Sequence, residues 1–397
     1  MVDTLMQVGV VMGVSMSALE AAHTSSARFD RFVSRRFGVV VLQPTTLCPW
    51  ACDYCYLPSK DQRLEMLPST AAAVAASIEA QGGPDVVEVV WHGGEPLTAG
   101  VERFRALLEP FEPLRARGRV RYTVQTGGGL ITQPWCDLFA RYGFTVGVSI
   151  DGPEWANAAR HDRSGRPAHA RIMRGIRTLL DCGVRFTAIA VVTGDTITRP
   201  DEIADFFETL GADSVGFNLE EYEGANTNRP PIDAAAARTF WRALLKRRLD
   251  GSPLRVRELY RLLGFVRQSR GPSSARSGPA LYEPIPTVAW NGDTVILSPE
   301  LAGVRSKEYG DFVIGNVLRE TLPAMLARAD KARYVDEFTQ ALTACAESCE
   351  FYAFCLGAQA GNRYFEHGDF SAPETQYCTN TRQELVRALG ELIEEAP

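Results

Sequence analysis

Six strand-then-helix units follow one another between about residues 37 and 235, and this repetition restricts the possible folds more than any other feature. The strand segments are apolar runs such as GVVVLQ (38–43), VVEVVWH (86–92) and FTVGVSIDG (144–152). Strands buried on both faces of a parallel sheet have this near-continuous apolar pattern. The sequence therefore predicts an α/β fold built as a partial (β/α)6 TIM-like barrel.

Polar and glycine residues gather at the predicted carboxyl ends of these strands. They include a cysteine-containing loop after the first strand and the Gly93-Gly94-Glu95 run after the second. In α/β barrels the chemistry takes place at this end. We expect these residues to meet at one rim.

Composition excludes several classes of protein. The 397 residues are 45% hydrophobic and 23% charged, which is typical of a globular chain with a real core. Lys plus Arg is 42 and Asp plus Glu is 48, giving a net charge of −6. Nucleic-acid binders are usually basic, so DNA or RNA is not expected as a partner.

Residues 5–19 form the one segment that could be taken for an export signal. Asp3 is the only charge before it, and the segment is too short to span a bilayer. We expect it to pack on the body of the protein. Seven of the nine cysteines fall into two clusters, which is typical of metal ligation in a reducing compartment. A cytoplasmic protein without a membrane contact is predicted.

The first cluster, Cys48, Cys52 and Cys55, has CxxxCxxC spacing. Three thiolates on one short loop can hold three irons of a [4Fe–4S] cube and leave the fourth iron open. A zinc site or a chance arrangement is the alternative, although zinc would require a fourth ligand.

With WHGGEPL (91–97) and SIDGP (149–153), this loop resembles the radical SAM superfamily. The resemblance implies that the open iron binds S-adenosylmethionine (SAM) and that an electron from the cluster cleaves it to a 5′-deoxyadenosyl radical. Gly93 and Gly94 would let the backbone approach the methionyl ammonium, and Glu95 would balance its charge. Arg160 would meet the SAM carboxylate, although Arg163 or Arg166 could replace it. The other implied SAM contacts are Tyr54, Gln125, Ser149, Asp151, Ile189 and Val191.

The second cluster contains Cys345, Cys349, Cys355 and Cys378, which is a full ligand set for one closed cube. Zinc also accepts four thiolates. The surrounding sequence resembles a small C-terminal SPASM or twitch domain. The segment between Cys182 and Cys345 contains no cysteine, so one auxiliary [4Fe–4S] cluster is expected.

The resemblance extends from about residue 37 to 380 and is closest to the cyclophane-forming radical SAM/SPASM peptide maturases. It implies a carbon–carbon crosslink in a ribosomal precursor peptide, with flavodoxin or ferredoxin as electron donor. The chain has Gln125-Thr126-Gly127-Gly128 where that group has Gln-Thr-Asn-Gly. A radical SAM dehydrogenase or epimerase acting on a small sugar or cyclitol is the alternative.

Four polar residues follow the last predicted barrel strand, where substrate should lie. Ring coupling needs a base, and Glu220 or Glu221 could serve. Asn218 and Asn226 are candidate substrate contacts. Alternatively, these acids face solvent at a strand end.

The predicted organisation has five parts. Residues 1–36 form an extension, 37–235 the barrel, 236–280 a basic helical connector, 281–380 the auxiliary-cluster region and 381–397 a C-terminal helix. The connector has either a solvated basic face or a docking surface for an acidic peptide leader, with Arg247, Arg248 and Arg255 as candidates. Cys136 and Cys182 are expected to be packing residues.

Overall fold

The computed structural model describes residues 25–226, 229–270 and 281–395. Its centre is a nine-stranded sheet with the order β6-β5-β4-β3-β2-β1-β7-β8-β9. The first six strands pair in parallel, as the repeated units predict. They are β1 (Val39–Leu42), β2 (Val87–Trp91), β3 (Val120–Thr126), β4 (Thr145–Ser149), β5 (Phe186–Val192) and β6 (Val215–Leu219).

Helices follow each barrel strand and continue through the C-terminal region. Those up to the connector are α1 (Ser25–Phe32), α2 (Pro68–Gln81), α3 (Val101–Leu108), α4 (Glu112–Ala116), α5 (Gln133–Tyr142), α6 (His169–Asp181), α7 (Pro200–Thr209), α8 (Ala234–Leu249) and α9 (Arg257–Arg270). The later ones are α10 (Leu322–Ala327), α11 (Arg333–Ser348), α12 (Tyr352–Cys355), α13 (Ala360–His367), α14 (Gln376–Cys378) and α15 (Glu384–Glu394). A π-helical turn, Thr379–Gln383, joins α14 to α15.

The limits of α2 follow from its sequence. Pro68 occupies the first turn, where its missing N–H costs nothing, and Gly82 follows the last residue with a φ of 61°. The helix therefore has the limits that the sequence predicts.

Strand side chains and helix aromatics form the core. Val40, Val89 and Val124 are fully buried. On the helix side, the Trp91 and Phe104 rings lie 5.0 Å apart and Phe104 meets Trp135 edge-on at 5.3 Å. Aromatic pairs in this geometry stabilise the fold by more than the apolar area they bury would give, so they support the ends of the strands.

The sheet continues past the predicted start of the C-terminal region at residue 281. Strand β7 (Thr287–Val288) pairs in parallel with β1, and β8 (Asp293–Val295) and β9 (Gly315–Asn316) add antiparallel strands. The edge of β1 would otherwise expose unpaired backbone groups. The two regions therefore share one sheet.

The N-terminal extension is described from Ser25 onward, and residues 5–19 lie outside the described part. Helix α1 contacts α11, where Arg28 forms an ion pair with Asp336.

The basic connector contains two helices, α8 and α9, and residues 271–280 lie outside the described part. Arg247 forms ion pairs with Asp201, Asp205 and Glu208 of the barrel. Arg238 pairs with Glu384 of α15, and Arg242 pairs with Glu391 of the same helix. Arg247 is therefore held by acids of its own chain, whereas Arg248 and Arg255 lie over the Tyr260 ring, and the docking role of this connector stays a prediction.

Across the described ranges, none of the helices combines the length and apolar character needed to cross a bilayer.

Candidate active site

A cavity of about 660 Å³ opens where the barrel strands end. The three cysteines of the first cluster line it, as do six of the residues predicted to contact SAM: Tyr54, Gln125, Ser149, Arg160, Ile189 and Val191. Asn218, Glu220, Glu221 and Asn226 line it too. The predicted cofactor and substrate residues therefore share one space.

The cysteine loop is fixed by backbone hydrogen bonds on two sides. The Cys48 amide donates to the Lys60 carbonyl at 2.9 Å, and Arg163 donates to the Cys48 carbonyl at 3.0 Å. The Asp53 amide donates to the Ala159 carbonyl at 3.0 Å. Arg163, an alternative SAM contact, is therefore used to hold the loop.

Two thiols of this loop are shielded from solvent. Burial raises the pKa of Cys48 and of Cys52, so without metal both thiols stay protonated. A metal deprotonates a coordinating thiol outright.

Two glycines allow close packing around the cysteine loop, and Gly127 lines the cavity. A Cβ on Gly127 would lie 2.4 Å from Nε1 of Trp50, and one on Gly94 would lie 2.4 Å from the Thr45 carbonyl oxygen. Trp50 Nε1 is buried without a hydrogen-bond partner among the described residues. Three thiols, a close glycine backbone and an unused donor are consistent with a [4Fe–4S] cube that leaves one iron open.

Glu95 lies behind the cavity surface and is 1% exposed. Its Oε1 accepts from the Leu97 amide and the Thr126 hydroxyl, and its Oε2 accepts from the Gly127 amide at 2.7 Å. Burial raises its pKa. In this arrangement Glu95 joins the loop after β2 to the loop after β3, next to the cluster loop.

Asp151 also lies behind the surface, and its oxygens are all used. It accepts Nε and Nη2 of Arg160 at 2.9 and 3.0 Å, the Tyr54 hydroxyl at 2.5 Å and the Val191 amide at 2.8 Å. The bonds within the chain give Asp151 a positioning role, and its predicted contact with SAM stays a prediction. Asp151 holds Tyr54, Arg160 and Val191 on the wall.

The two candidate bases have different surroundings. Glu220 forms an ion pair with Arg229 at 2.5 Å. Glu221 accepts from the Asn362 amide nitrogen, and its pKa lies well above its usual value because of burial and then the charge of Glu300. Glu221 is the stronger proton acceptor because its carboxylate is not neutralised by an ion pair.

Sequence reasoning missed Glu223 and Glu300, which line the cavity with Glu221. Burial raises the pKa of both, and the charge of Glu300 raises that of Glu223 further. Neighbouring carboxyls of this kind cannot all ionise together. The two acids stand in the EEYEG and SPELAG segments of the sequence. These segments are far apart along the chain, and only the folded structure brings the acids together.

A tyrosine and a histidine were also missed. The Tyr56 hydroxyl lies 2.7 Å from His92 Nε2, and burial lowers the pKa of His92 to about 4. The imidazole is therefore neutral at physiological pH.

Basic and aromatic residues from the later part of the chain line the same cavity. Helix α9 supplies Arg257 and Arg261, and the segment from α14 into the π-helical turn supplies Tyr377 and Arg382. Arg257 donates to Asn218 at 2.7 Å and pairs with Glu258. The predicted substrate contact Asn218 is thus already bonded within the chain.

The second cysteine set gathers at the ends of short helices. Cys345 lies in the last turn of α11, Cys349 follows that helix, and Cys355 and Cys378 end α12 and α14. Burial raises the pKa of Cys345, and it raises the pKa of Cys378 to about 11.

Arg363 lies against this set, with its Nη2 3.6 Å from the Cys345 sulfur. A cation there suits an anionic four-thiolate cluster. In residues 25–226, 229–270 and 281–395, no three His, Cys, Asp or Glu side chains converge as ligands of one metal ion. The assignment of both cysteine sets to iron–sulfur clusters therefore stays a prediction.

The two remaining cysteines lie away from both sets. Cys136 is buried in α5, and Cys182 is half-buried just after α6. The Cys182 thiol lies 3.2 Å from the Gln133 side-chain oxygen.

Comparison with known proteins decides the family. Residues 42–223 match the model of the radical SAM superfamily. A Synechocystis protein of unknown function is 31% identical over 375 residues, covering 90% of this chain and 92% of that protein. The chain belongs to the radical SAM superfamily.

Other relatives of this radical SAM enzyme match over part of their length. A serine-type anaerobic sulfatase-maturating enzyme of Bacteroides thetaiotaomicron is 31% identical over 188 residues, which are 45% of each chain. The chain therefore spans less than half of that relative in the alignment.

Solved structures share the fold over most of the chain. The structure of anSMEcpe with bound AdoMet superposes with a TM-score of 0.73 at 20% identity, covering 90% of this chain and 94% of that one. Streptococcus suis SuiB bound to the precursor peptide SuiA gives 0.61 at 16% identity, covering 92% and 81%. The predicted α/β radical SAM fold is confirmed.

Proposed function

We propose that this radical SAM enzyme forms a carbon–carbon, cyclophane-type crosslink in a ribosomal precursor peptide. The observation that carries the proposal is the single cavity that contains both the cluster cysteines and a wall of carboxylates. Peptide substrates are supported by structural neighbours solved with peptides, among them SuiB with SuiA. The small-sugar or cyclitol alternative predicts no change in any peptide.

Cys48, Cys52 and Cys55 would hold the first [4Fe–4S] cluster. When bound there, SAM supplies a 5′-deoxyadenosyl radical that removes a hydrogen atom from the substrate. Tyr54, Arg160 and Val191, fixed by Asp151, would position the nucleoside of SAM and the carboxylate of its methionine. Gln125 donates to the Ser149 hydroxyl at 2.8 Å, which sets both side chains toward the cavity.

Glu221 would take the ring proton. A substrate Cβ radical that attacks an aromatic ring must lose one electron and one proton to restore aromaticity. Glu221 lines the cavity, and Glu223 and Glu300 can share the proton it receives. The net change is the loss of two hydrogens per crosslink, one as an atom and one as a proton with an electron.

Cys345, Cys349, Cys355 and Cys378 would hold one auxiliary [4Fe–4S] cluster. Four thiolates leave no iron open, so this cluster suits electron acceptance rather than substrate binding. An external donor such as flavodoxin or ferredoxin would supply the reducing electron for SAM.

Co-expression with short candidate precursor peptides tests the proposal. The modified precursor should lose two hydrogens per crosslink, and fragmentation should find no cleavage between the joined residues. The Cys48/Cys52/Cys55→Ala variant is the matched control and should leave the mass unchanged. A peptide that loses water instead of two hydrogens would contradict the proposal. So would an enzyme that leaves every peptide unchanged but converts a sugar.

A further inference from the structure

Two guanidinium groups in the active-site cavity lack a carboxylate partner among the described residues. Arg382 is 8% exposed; its Nη2 donates to the Tyr377 hydroxyl at 3.0 Å, and its Nε has no hydrogen-bond partner. Arg261 lies over the Phe354 ring at 5.7 Å and has no ion pair within 4.0 Å in the described chain.

These two arginines differ from the other cations nearby. Arg257 is paired with Glu258, Arg229 with Glu220 and Arg160 with Asp151. Arg261 is exposed within the cavity; partial desolvation there and then the positive charge of Arg382 lower its pKa, so the two cations repel each other. A buried guanidinium with an unused donor beside a second one is costly unless an anion joins them.

We propose that Arg261 and Arg382 bind a carboxylate of the peptide substrate. A carboxylate accepts two donors from a guanidinium fork, and the shared anion would also remove the repulsion between the two. The Tyr377 ring lies 5.5 Å from the Arg382 guanidinium carbon, and the Phe354 ring lies against Arg261. These rings hold the two planar guanidinium groups in place.

The carboxylate site would set how the peptide lies across the cavity. Arg261 and Arg382 come from α9 and the π-helical turn, whereas the SAM residues come from the barrel strand ends. A substrate held by its carboxylate at the arginines would extend toward the strand ends, past Glu221. The carboxylate is either an Asp or Glu side chain or the C-terminus of the peptide. This inference rests on the proposed peptide function.

A direct binding test does not need the precursor. The probe is N-acetylphenylalanine, with N-acetylphenylalaninamide as its uncharged match, titrated into cluster-loaded enzyme by calorimetry. The acid should bind and the amide should not. R261Q and R382Q should each weaken binding of the acid by about tenfold or more. R267Q, on the exposed part of α9, is the control and should bind the acid as the wild type does.

Two results would overturn the carboxylate site. One is equal binding of acid and amide. The other is unchanged binding of the acid by R261Q. This variant keeps the test valid if R382Q, which changes a buried residue, fails to fold. The arginines could instead serve the auxiliary cluster, since the charge of Cys355 also acts on Arg261. Loss of iron from both variants, with unchanged affinity in the iron-loaded fraction, would therefore also overturn it.

Kinetics with a precursor peptide that the enzyme crosslinks identify the source of the carboxylate. A C-terminal amide raises KM if the terminus binds, and Asp→Asn or Glu→Gln changes raise it if a side chain binds. In R261Q, KM should rise about tenfold or more while kcat changes less. Normal KM in R261Q would remove this inference and leave the proposed function standing. If no peptide is crosslinked, the proposed function fails while the calorimetric test still decides the carboxylate site.

Discussion

Arg160 and Asp151 form a two-pronged ion pair in the wall of the cavity, with Nε–Oδ2 and Nη2–Oδ1 distances of 2.9 and 3.0 Å. Their side chains are 9% and 1% exposed. Removing one partner of a buried pair leaves an uncompensated charge, which costs about 3–5 kcal/mol. The pair therefore fixes both the cavity wall and the Arg160 guanidinium.

We expect D151N to lower stability by several kcal/mol and to weaken SAM binding. Chemical denaturation measures the first and equilibrium dialysis with SAM the second. D250N is the control, because Asp250 pairs with Lys246 on the surface and such pairs contribute about 1 kcal/mol or less. Equal stability of D151N and D250N would show that the buried pair does not hold the wall.

The Cys48/Cys52/Cys55→Ala variant should abolish reductive cleavage of SAM. It should also lower the iron content from about eight to about four per chain, because one of two cubes is lost. Iron and sulfide analysis with a 5′-deoxyadenosine assay checks both values. C182A should behave as the wild type, and persistent SAM cleavage in the triple variant would contradict the assignment.

Loss of the second cysteine set should remove the other cluster and leave SAM cleavage intact. Replacing Cys345 and Cys378 by alanine should also leave about four irons, while uncoupled cleavage of SAM continues. The crosslinked product should disappear because the electron left on the substrate has no acceptor. Zinc at these four cysteines in the purified wild type would refute the second cluster.

The crosslinking rate should depend on pH through Glu221. The base must be ionised, and its pKa is raised, so the rate should fall as pH decreases through a value above the usual glutamate range. E221Q should lose about 10²- to 10⁴-fold in rate and lose this pH dependence. Initial rates between pH 5 and 9 measure both, with the exposed E202Q as control. A wild-type profile in E221Q would assign the proton to another group.

The sequence predicted the parts of the fold that depend on local pattern. The parallel strands follow from Val-rich runs, and the cysteine loop lies at the strand ends as parallel order requires. The shared sheet was not predictable, because β7 contains only Thr287 and Val288 and pairs with a strand about 245 residues earlier, too short a segment for periodicity to detect.

The active site, like the fold, could be predicted only in part. Motif spacing predicted the three cysteines of the first set and ten other residues of the cavity wall, which is less than half of the residues that line it. It did not separate Asp151 and Glu95, which hold the wall from behind, from residues that face the cavity. Arg261 and Arg382 line the same cavity as Glu221 through tertiary packing of α9 and the π-helical turn, which no local pattern records.

Deuterium transfer is the most direct test of the central claim. A precursor peptide deuterated at the β-carbon of the crosslinked residue is incubated with cluster-loaded enzyme, SAM and a reductant. The account predicts one deuterium in 5′-deoxyadenosine for each crosslink, in a peptide that has lost that deuterium and one ring hydrogen. A crosslinked peptide without deuterium in 5′-deoxyadenosine, or labelled 5′-deoxyadenosine with no crosslink, would contradict it.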